Sequence, residues 1–178
     1  MVWKREAPQG QESEKIKWEI VQYTRGRGLD IGCGPSKPFA HFRGVDNNKD
    51  EALFNIRATA ADWIVPSADK LDEFTSSSQD FIFSSHMLEH LPYEDVPSCL
   101  KEWFRLLRKG GHLVLYLPSD EAYPKVGEDG ANPDHRWNVN YDSVVRAMDT
   151  LTADWDLVDF QHRTKEDEYS LFFVFLKT

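Results

Sequence analysis

The residues with the most recognisable chemistry lie mid-chain, in the stretch FIFSSHMLEHLP, residues 81–92. The run His86-Met87-Leu88-Glu89-His90 has the H-x-x-E-H spacing of one class of zinc peptidases. Such a site needs a helix that places both histidines one turn apart, together with a third ligand. Pro92 disfavours helical geometry at Leu91, and residues 81–85 form a strand-like apolar run. The sequence therefore disfavours a peptidase, and we predict no metal site.

A glycine-rich turn offers a second kind of chemistry, the binding of a nucleoside. In LDIGCGPSKP, Asp30 ends a short apolar run and is followed by Gly32 and Gly34. Glycines allow a ligand to approach the backbone at the carboxyl end of a strand. Asp46 ends the next apolar run, where a carboxylate can accept both hydroxyls of a ribose. The pattern indicates a cofactor that contains a nucleoside, although a tight turn without a ligand stays an alternative.

The residues after this turn distinguish two classes of nucleoside cofactor. The dinucleotide fingerprint requires a third glycine and a helix N-terminus that faces the pyrophosphate. Here Lys37 stands at that glycine position, and Pro35 and Pro38 leave too little chain for a full helix before the next strand. A cofactor without phosphate groups therefore fits the sequence better.

Two histidines are candidate catalytic residues. His86 is the first residue after the strand-like run 79–85, at the same predicted sheet edge as the glycine turn. His135 lies in the loop 119–138, whose length is typical of a functional loop. Histidine titrates near neutral pH and suits proton transfer from a hydroxyl acceptor. We predict that this loop forms a lid over the acceptor; a bracing role for His86 and a merely solvated loop stay alternatives.

These residues require a scaffold in which strands alternate with helices. Hydrophobic periodicity predicts helices over residues of about 12–24, 94–108 and 140–151, and Gly110 and Gly111 are expected to end the second helix. Short apolar runs between them predict five strands, and two longer runs joined by a charged turn predict a final hairpin. The alternation predicts an α/β fold with a Rossmann-like, doubly wound and mostly parallel sheet that includes one antiparallel C-terminal strand.

The composition of the chain limits which classes of partner and which cellular compartments are expected for this protein. The chain has 178 residues, which suits one domain over residues 1–178 with a substantial core. The formal net charge of −9 argues against nucleic acid as a partner. No apolar run is long enough to span a membrane, and Cys33 and Cys99 are expected to be the reduced thiols of a cytoplasmic protein.

Five ordered motifs resemble those of a known family. They are LDIGCGPSKPF, GVDNN, SADKLDEF, DFIFSSHMLEHL and LLRKGGHLVLYLP, all between Gly28 and Pro118. Together they resemble class I S-adenosylmethionine-dependent methyltransferases, of the broad group that includes quinone-biosynthesis and glycan-modifying enzymes. The resemblance implies the cofactor S-adenosylmethionine and the sheet order 3-2-1-4-5-7-6. It also implies methyl transfer to a small molecule or to a sugar unit of a glycan.

The resemblance assigns roles to individual residues of this sequence. Gly32 and Gly34 are expected to pass under the methionine part of the cofactor, Asp30 to order their turn, and Asp46 to bind the ribose hydroxyls. The remaining implied contacts are Asn47 near the adenine, Ala68 and Asp69 at the adenine edge, and Ser84, Ser85 and His86 at the methionine end. Two positions depart from the family pattern: Ser67 replaces the usual acidic residue beside the adenine, and Ser36 replaces the third glycine of the family's turn.

Other functions stay open at this stage. A methyltransferase-like domain could bind S-adenosylmethionine or S-adenosylhomocysteine without transferring the methyl group, which the two departures favour. Aminopropyl transfer on the same fold uses acidic residues to hold a polyamine, and the acidic composition permits it. A zinc peptidase is the remotest alternative.

Overall fold

A seven-stranded sheet organises the chain in a computed structural model that describes residues 12–47, 60–164 and 167–178. Its strands are β1 (Gly28–Ile31), β2 (Arg43–Asp46), β3 (Ala61–Ile64), β4 (Gln79–Ser85), β5 (Leu107–Pro118), β6 (Trp155–Arg163) and β7 (Ser170–Lys177). Their spatial order is β3-β2-β1-β4-β5-β7-β6. Strands β1 to β5 are parallel, whereas β7 is antiparallel to both β5 and β6. The predicted α/β fold and strand order are confirmed.

The parallel strands bring their carboxyl ends to one edge of the sheet. β1 ends directly before Gly32, and β2 ends at Asp46. β4 ends directly before His86, and β5 ends where the loop 119–138 begins. Because ligands of open α/β sheets bind beyond the carboxyl ends of the strands, the candidate site residues from these separate segments meet at the expected edge.

Alternate positions of the strands pack on opposite faces of the sheet. On one face, Ile82 and its neighbours pack against α3 (Val96–Leu106) and α4 (Tyr141–Met148). On the other face, Phe81 and Phe83 pack with buried residues of the N-terminal segment. Burial on both faces explains why β4 has three consecutive apolar residues, Phe81 to Phe83, at its centre.

The predicted N-terminal helix over residues 12–24 is wrong in detail. The segment forms two short helices, α1 (Glu12–Lys15) and α2 (Lys17–Ile20), which are interrupted at Ile16. Ile16 has φ of −99° and ψ of 1°, outside the helical range. Ile16 and Ile20 are both fully buried against the sheet. Tertiary packing of these side chains therefore overrides the local helical period.

The prediction that Gly110 and Gly111 end a helix is also wrong. α3 ends at Leu106 and β5 follows at once, so both glycines lie inside a strand. The register between β4 and β5 shifts at this point, which defines a bulge. Gly110 has φ of +76°, and a Cβ on Gly111 would lie 3.0 Å from the carbonyl oxygen of Asp80. The glycines thus permit the bulge and its close backbone approach.

The third predicted helix, about 140–151, is α4, and its start closes the loop 119–138. Oδ1 of Asn140 accepts a hydrogen bond from the Ser143 N–H (2.9 Å), and the Asn140 N–H donates to the Ser143 hydroxyl (3.0 Å). This reciprocal capping defines the first residue of the helix. The other end of the loop is joined to the same point, because the Asp120 N–H donates to the Val139 carbonyl (2.8 Å).

Two expectations concern the whole chain. Within the described ranges, no helix is both long and apolar enough to cross a bilayer. The domain predicted over residues 1–178 includes residues 1–11, 48–59 and 165–166, which lie outside the described part, and it stays a prediction.

Candidate functional site

The turn after β1 is held by hydrogen bonds to β2. The Gly32 N–H donates to the Val45 carbonyl (2.8 Å), and the Gly34 N–H donates to Oδ2 of Asp46 (2.8 Å). Gly32 and Gly34 have φ of +77° and +55°, in the left-handed region that glycine adopts without strain. A Cβ on Gly34 would meet no heavy atom of the described residues within 4 Å. Open space therefore lies above the turn, where the cofactor is predicted.

Asp30 lies beneath the turn with one carboxylate oxygen unsatisfied. The residue is 2% exposed, and its Oδ2 has no hydrogen-bond partner among the described residues. Burial raises the pKa of Asp30 well above its ordinary value; the charge of Lys37 opposes this rise and that of Asp46 adds to it. A buried carboxylate without a donor is costly unless a ligand supplies one. The ammonium group of a bound methionine moiety fits this requirement.

The predicted adenine segment is joined to the core through Trp103. The indole Nε1 of Trp103 donates to the Ala68 carbonyl (2.9 Å). The Ser67 hydroxyl donates to the Asp69 carboxylate, so the serine at the family's acidic position contacts the acidic residue two positions on. Asn47 is exposed directly after β2. The segment offers the Asp69 carboxylate and its own backbone groups to a base.

The two serines at the end of β4 have different surroundings. Ser84 is fully buried, and its hydroxyl donates to the Ile31 carbonyl (2.8 Å). The Ser85 Oγ is buried without a hydrogen-bond partner in the described part of the chain. Ser84 therefore joins β4 to β1, whereas Ser85 has a hydroxyl that a ligand can satisfy.

Four side chains form a histidine–glutamate cluster at the same edge: His86, Glu89, His90 and His135. Glu89 is fully buried, with its Oε1 3.5 Å from Nδ1 of His86 and 3.8 Å from Nε2 of His135. The rings of His90 and His135 are 5.1 Å apart between centroids. The structure thus brings together the two histidines that the sequence nominated, with Glu89 between them.

The segment that carries the cluster does not have the geometry of a peptidase motif. His86 follows β4 in the left-handed backbone region, with φ of +49°, and only Leu88–His90 form a short 3-10 helix. His86 and His90 therefore do not share a helix. The segment instead packs on the glycine turn, because a Cβ on Gly32 would lie 2.3 Å from Cγ of Met87. This contact places the cluster beside the glycine turn, where the methionine end of the cofactor is predicted to lie.

The loop 119–138 is joined to the cluster by two hydrogen bonds. The Arg136 N–H donates to the Glu89 carbonyl (2.7 Å), and the Trp137 indole donates to the Leu88 carbonyl (3.1 Å). Both bonds come from the two residues that directly follow His135. They hold the ring of His135 over the residues that follow β4.

A cleft of about 500 Å³ runs along this loop and has the volume of a small-molecule site. The ring of Tyr123 lies 5.2 Å from the ring of His135. His86 is held away from the cleft lining, with its Nε2 2.8 Å from Oγ of Ser170. His135 is thus the cluster residue that lines the cleft, together with Val126, Gly127, Glu128, Ala131, Asn132, Pro133 and Arg136.

Burial favours uncharged side chains in the cluster. It lowers the pKa of His135 to about 4, and the positive charge of His90 adds to this effect. It lowers the pKa of His86 well below its ordinary value, and the charge of His135 contributes. Burial also raises the pKa of Glu89 to about 8, with a further contribution from Glu12. Burial thus disfavours the charged form of both imidazoles. Each keeps a ring lone pair but is a weaker base than an exposed histidine.

Two residues of this region were not selected from the sequence. Glu89 belongs to the H-x-x-E-H run, but its position between two histidines depends on the path of the distant loop. Tyr169, just before β7, stacks 4.9 Å from the ring of Tyr123, and its hydroxyl donates to Glu12 (3.0 Å). No local pattern marks Tyr169, because hairpin pairing alone brings it to the site.

Comparisons with known proteins agree with this geometry. Residues 29–115 match the family described as "Methyltransferase domain". An S-adenosylmethionine-dependent methyltransferase from Archaeoglobus fulgidus is 17% identical, with a TM-score of 0.67 over 92% of this chain and 94% of that chain. A protein from Pyrococcus horikoshii is 19% identical, with a TM-score of 0.67 over 94% and 90%. A Thermotoga maritima methyltransferase described as a possible histamine N-methyltransferase is 17% identical, with a TM-score of 0.66 over 95% and 91%. No curated protein matches significantly.

The fold and the family match together define the class of this protein. The solved structures, at such low identity, show the fold, and residues 29–115 carry the family match from β1 into β5. Residues 29–115 carry a methyltransferase domain, and this match together with the fold supports a class I S-adenosylmethionine-dependent methyltransferase. Its cofactor is S-adenosylmethionine, and the unsatisfied oxygen of Asp30 and the open space at Gly34 fit the methionine end of that molecule.

Proposed function

We propose that the enzyme methylates a hydroxyl group of a small polar molecule or of a sugar unit of a glycan, bound in the cleft along the loop 119–138. The observation that carries this proposal is the position of His135, which lines the cleft and also contacts Glu89 at 3.8 Å. Through Glu89, the cleft adjoins His86 at the end of β4. The net charge of −9 argues against nucleic acid as the acceptor.

The polar lining of the cleft supports an acceptor rich in hydroxyl groups. Glu128, Asn132 and Arg136 offer acceptors and donors of hydrogen bonds beside the apolar Val126. The volume of about 500 Å³ suits a molecule of this size. The Thermotoga relative's description also mentions a small-molecule acceptor, although the likeness to that protein shows the fold alone.

In this proposal the cofactor lies across the edge formed by β1, β2 and β4. Asp46 holds the ribose, and Asp30 and Ser85 face the methionine end with unsatisfied oxygens. Gly32 and Gly34 provide the close backbone approach. The remaining proposed contacts are Asn47, Ala68, Asp69 and Ser84.

In this proposal the main task of the protein is to align the acceptor hydroxyl with the methyl group of the cofactor. When bound, S-adenosylmethionine supplies a methyl group on a sulfonium sulfur. Methyl transfer would form a C–O bond and break the C–S bond, whose electron pair would stay on sulfur, and His135 would accept the proton of the acceptor hydroxyl. The cleft must hold the oxygen in line with the C–S bond. His86, held by Ser170 and Glu89, positions the cluster at the strand end.

The test begins with calorimetry of S-adenosylmethionine and S-adenosylhomocysteine binding to the purified chain. A panel of sugars and hydroxylated small molecules is then assayed for S-adenosylhomocysteine release. We expect His135→Ala to lower kcat by about 10²–10⁴-fold, as is typical for the loss of a general base, with little change in cofactor Kd. His162→Ala is the matched control, because His162 is exposed on β6. Turnover of His135→Ala equal to the parent excludes the assigned role.

We also propose a cytoplasmic location. Cys33 and Cys99 are both free and buried, which suits a reducing compartment. Cell fractionation with an antibody against the chain would test this, and recovery from a secreted or membrane fraction would contradict it.

A further inference from the structure

Glu89 presents an unusual problem of burial. Its side chain is fully buried, yet neither carboxylate oxygen accepts a hydrogen bond from another described residue. A buried carboxylate in this state is costly unless a cation or a donor satisfies it. Ring nitrogens of His86 (3.5 Å) and His135 (3.8 Å) lie near Oε1, both beyond normal hydrogen-bond distance.

Two of the neighbouring histidines and Glu89 have the donor set of a metal site. Glu89, His90 and His135 each offer one ligand atom, and these atoms all lie within 4.8 Å of one another. Two imidazoles and one glutamate are the protein ligands of an open zinc site, in which the fourth position takes water or substrate. With metal–ligand distances of about 2.0–2.1 Å, tetrahedral ligands lie about 3.4 Å apart. The three side chains need only to rotate inward by about 1 Å or slightly more.

The backbone around these side chains is already fixed. The hydrogen bonds from Arg136 and Trp137 hold the segment that contains His135 against Glu89 and Leu88. His86 supplies an outer partner, because its Nδ1 faces Glu89 while its Nε2 lies 2.8 Å from Oγ of Ser170. Outer partners that orient ligating carboxylates are a regular feature of metal sites.

We propose that Glu89, His90 and His135 bind one divalent transition-metal ion of the zinc class, with a fourth coordination position on the side of the cleft. Ion binding goes beyond the proposed function and does not depend on it. Where the proposed acceptor is correct, its hydroxyl would complete the coordination and the ion would lower the pKa of that hydroxyl. In the ion-loaded enzyme His135 would then act as a ligand and not as the base. The site differs from the H-x-x-E-H motif, because His86 is not a ligand and the third ligand comes from the loop 119–138.

The experiment measures ion binding without cofactor or acceptor, so that its outcome is independent of methyl transfer. The chain is dialysed against a chelator and titrated with Zn²⁺ by calorimetry and with Co²⁺ by visible absorption. We expect one ion per chain and the intense visible bands of four-coordinate Co²⁺. Each of Glu89→Gln, His90→Gln and His135→Gln should weaken binding by more than the roughly 10–100-fold that is lost when an outer partner is changed.

The controls distinguish binding at the proposed three-residue site from nonspecific coordination by surface histidines. His162→Gln removes an exposed histidine and should leave the affinity unchanged. Thermal melting with and without Zn²⁺ checks that each variant is folded. The parent and His162→Gln should gain a large metal-dependent increase in Tm, and the three ligand variants should not. Absence of saturable binding, or an affinity that none of the three ligand substitutions lowers, overturns the proposal. Full methyl transfer by chelator-treated enzyme overturns the role of the ion at the acceptor.

Discussion

The substitution Asp46→Ala tests the centre of the cofactor site. The carboxylate accepts the Gly34 N–H at 2.8 Å and, in its assigned role, both ribose hydroxyls. Hydrogen bonds to a charged group contribute about 1.5–3 kcal/mol each, so losing two weakens binding by about 3–6 kcal/mol. Since every 1.4 kcal/mol is tenfold, we expect the Kd for S-adenosylmethionine to rise by at least ~100-fold in isothermal titration calorimetry.

The same substitution also removes a support of the glycine turn. Without the carboxylate, the Gly34 N–H loses its 2.8 Å hydrogen bond to Oδ2 of Asp46. This loss should lower the free energy of unfolding by about 1–3 kcal/mol. For a chain of this size, about 2–4 °C of Tm corresponds to each kcal/mol, so Tm should fall by roughly 2–12 °C. A weaker affinity could therefore arise from a distorted turn as well as from the lost ribose contact.

The substitution Asp62→Ala separates these two causes. Oδ2 of Asp62 accepts the Gly44 N–H at 2.8 Å and pairs with Lys37 at 2.6 Å, which is the same kind of support one strand further out. This variant should lose stability while its Kd stays within about threefold of the parent. Unchanged affinity in Asp46→Ala would refute the ribose assignment, and an equal loss of affinity in both variants would assign the effect to the turn.

Three further predictions concern the same half of the site. Gly34→Ala adds a Cβ to the open space at a residue with φ of +55°. S-adenosylmethionine should bind at least ~10-fold more weakly, while the strained backbone lowers the free energy of unfolding by only about 1–2 kcal/mol. Parental affinity in calorimetry would contradict the predicted position of the cofactor. Trp103→Phe removes the 2.9 Å bond to the Ala68 carbonyl, so urea titration should show a loss of about 1–3 kcal/mol in the free energy of unfolding, and an unchanged midpoint would count against this anchor. Burial raises the pKa of Asp30, and a bound cation would lower it, so cofactor binding should release a proton. The affinity for the cofactor should therefore rise with pH up to the raised pKa of Asp30 and then level off. Asp30→Asn should abolish this pH dependence, and a pH-independent Kd in the parent would exclude the proposed contact.

The sheet could be predicted from the sequence, and the predicted cofactor residues could be assigned to one of its edges, because their signals are local. The turn LDIGCGP, the acidic residue that ends β2 and the apolar run of β4 each lie within a few residues of the atoms that they position. Strand order then follows from the rules of parallel sheets and from the resemblance of the ordered motifs. The open space above Gly34 and the unsatisfied Oδ2 of Asp30 lie where those motifs predict a ligand.

The features that the sequence could not predict depend on contacts between distant segments. Periodicity predicts one N-terminal helix, but the burial of Ile16 and Ile20 on the sheet interrupts it. Two glycines after a helical pattern predict the end of a helix. Here they lie in a bulge of β5, which forms because the register of its pairing with β4 shifts. The position of His135 beside Glu89 likewise follows from the backbone bond between Arg136 and Glu89, which no short-range pattern encodes.

The end of β4 couples the two halves of the site, and this has a consequence for specificity. Ser85, whose buried hydroxyl has no hydrogen-bond partner in the described part of the chain, is a proposed cofactor contact. The next residue, His86, begins the histidine–glutamate cluster, and Met87 packs on Gly32. Changes within residues 85–89 should therefore alter cofactor affinity and turnover together. The loop 119–138 reaches this strand end mainly through its hydrogen bonds to Leu88 and Glu89 and lines the cleft with its own residues. Under the proposed assignment, the choice of acceptor would change with the sequence of this loop while the proposed cofactor contacts stay the same.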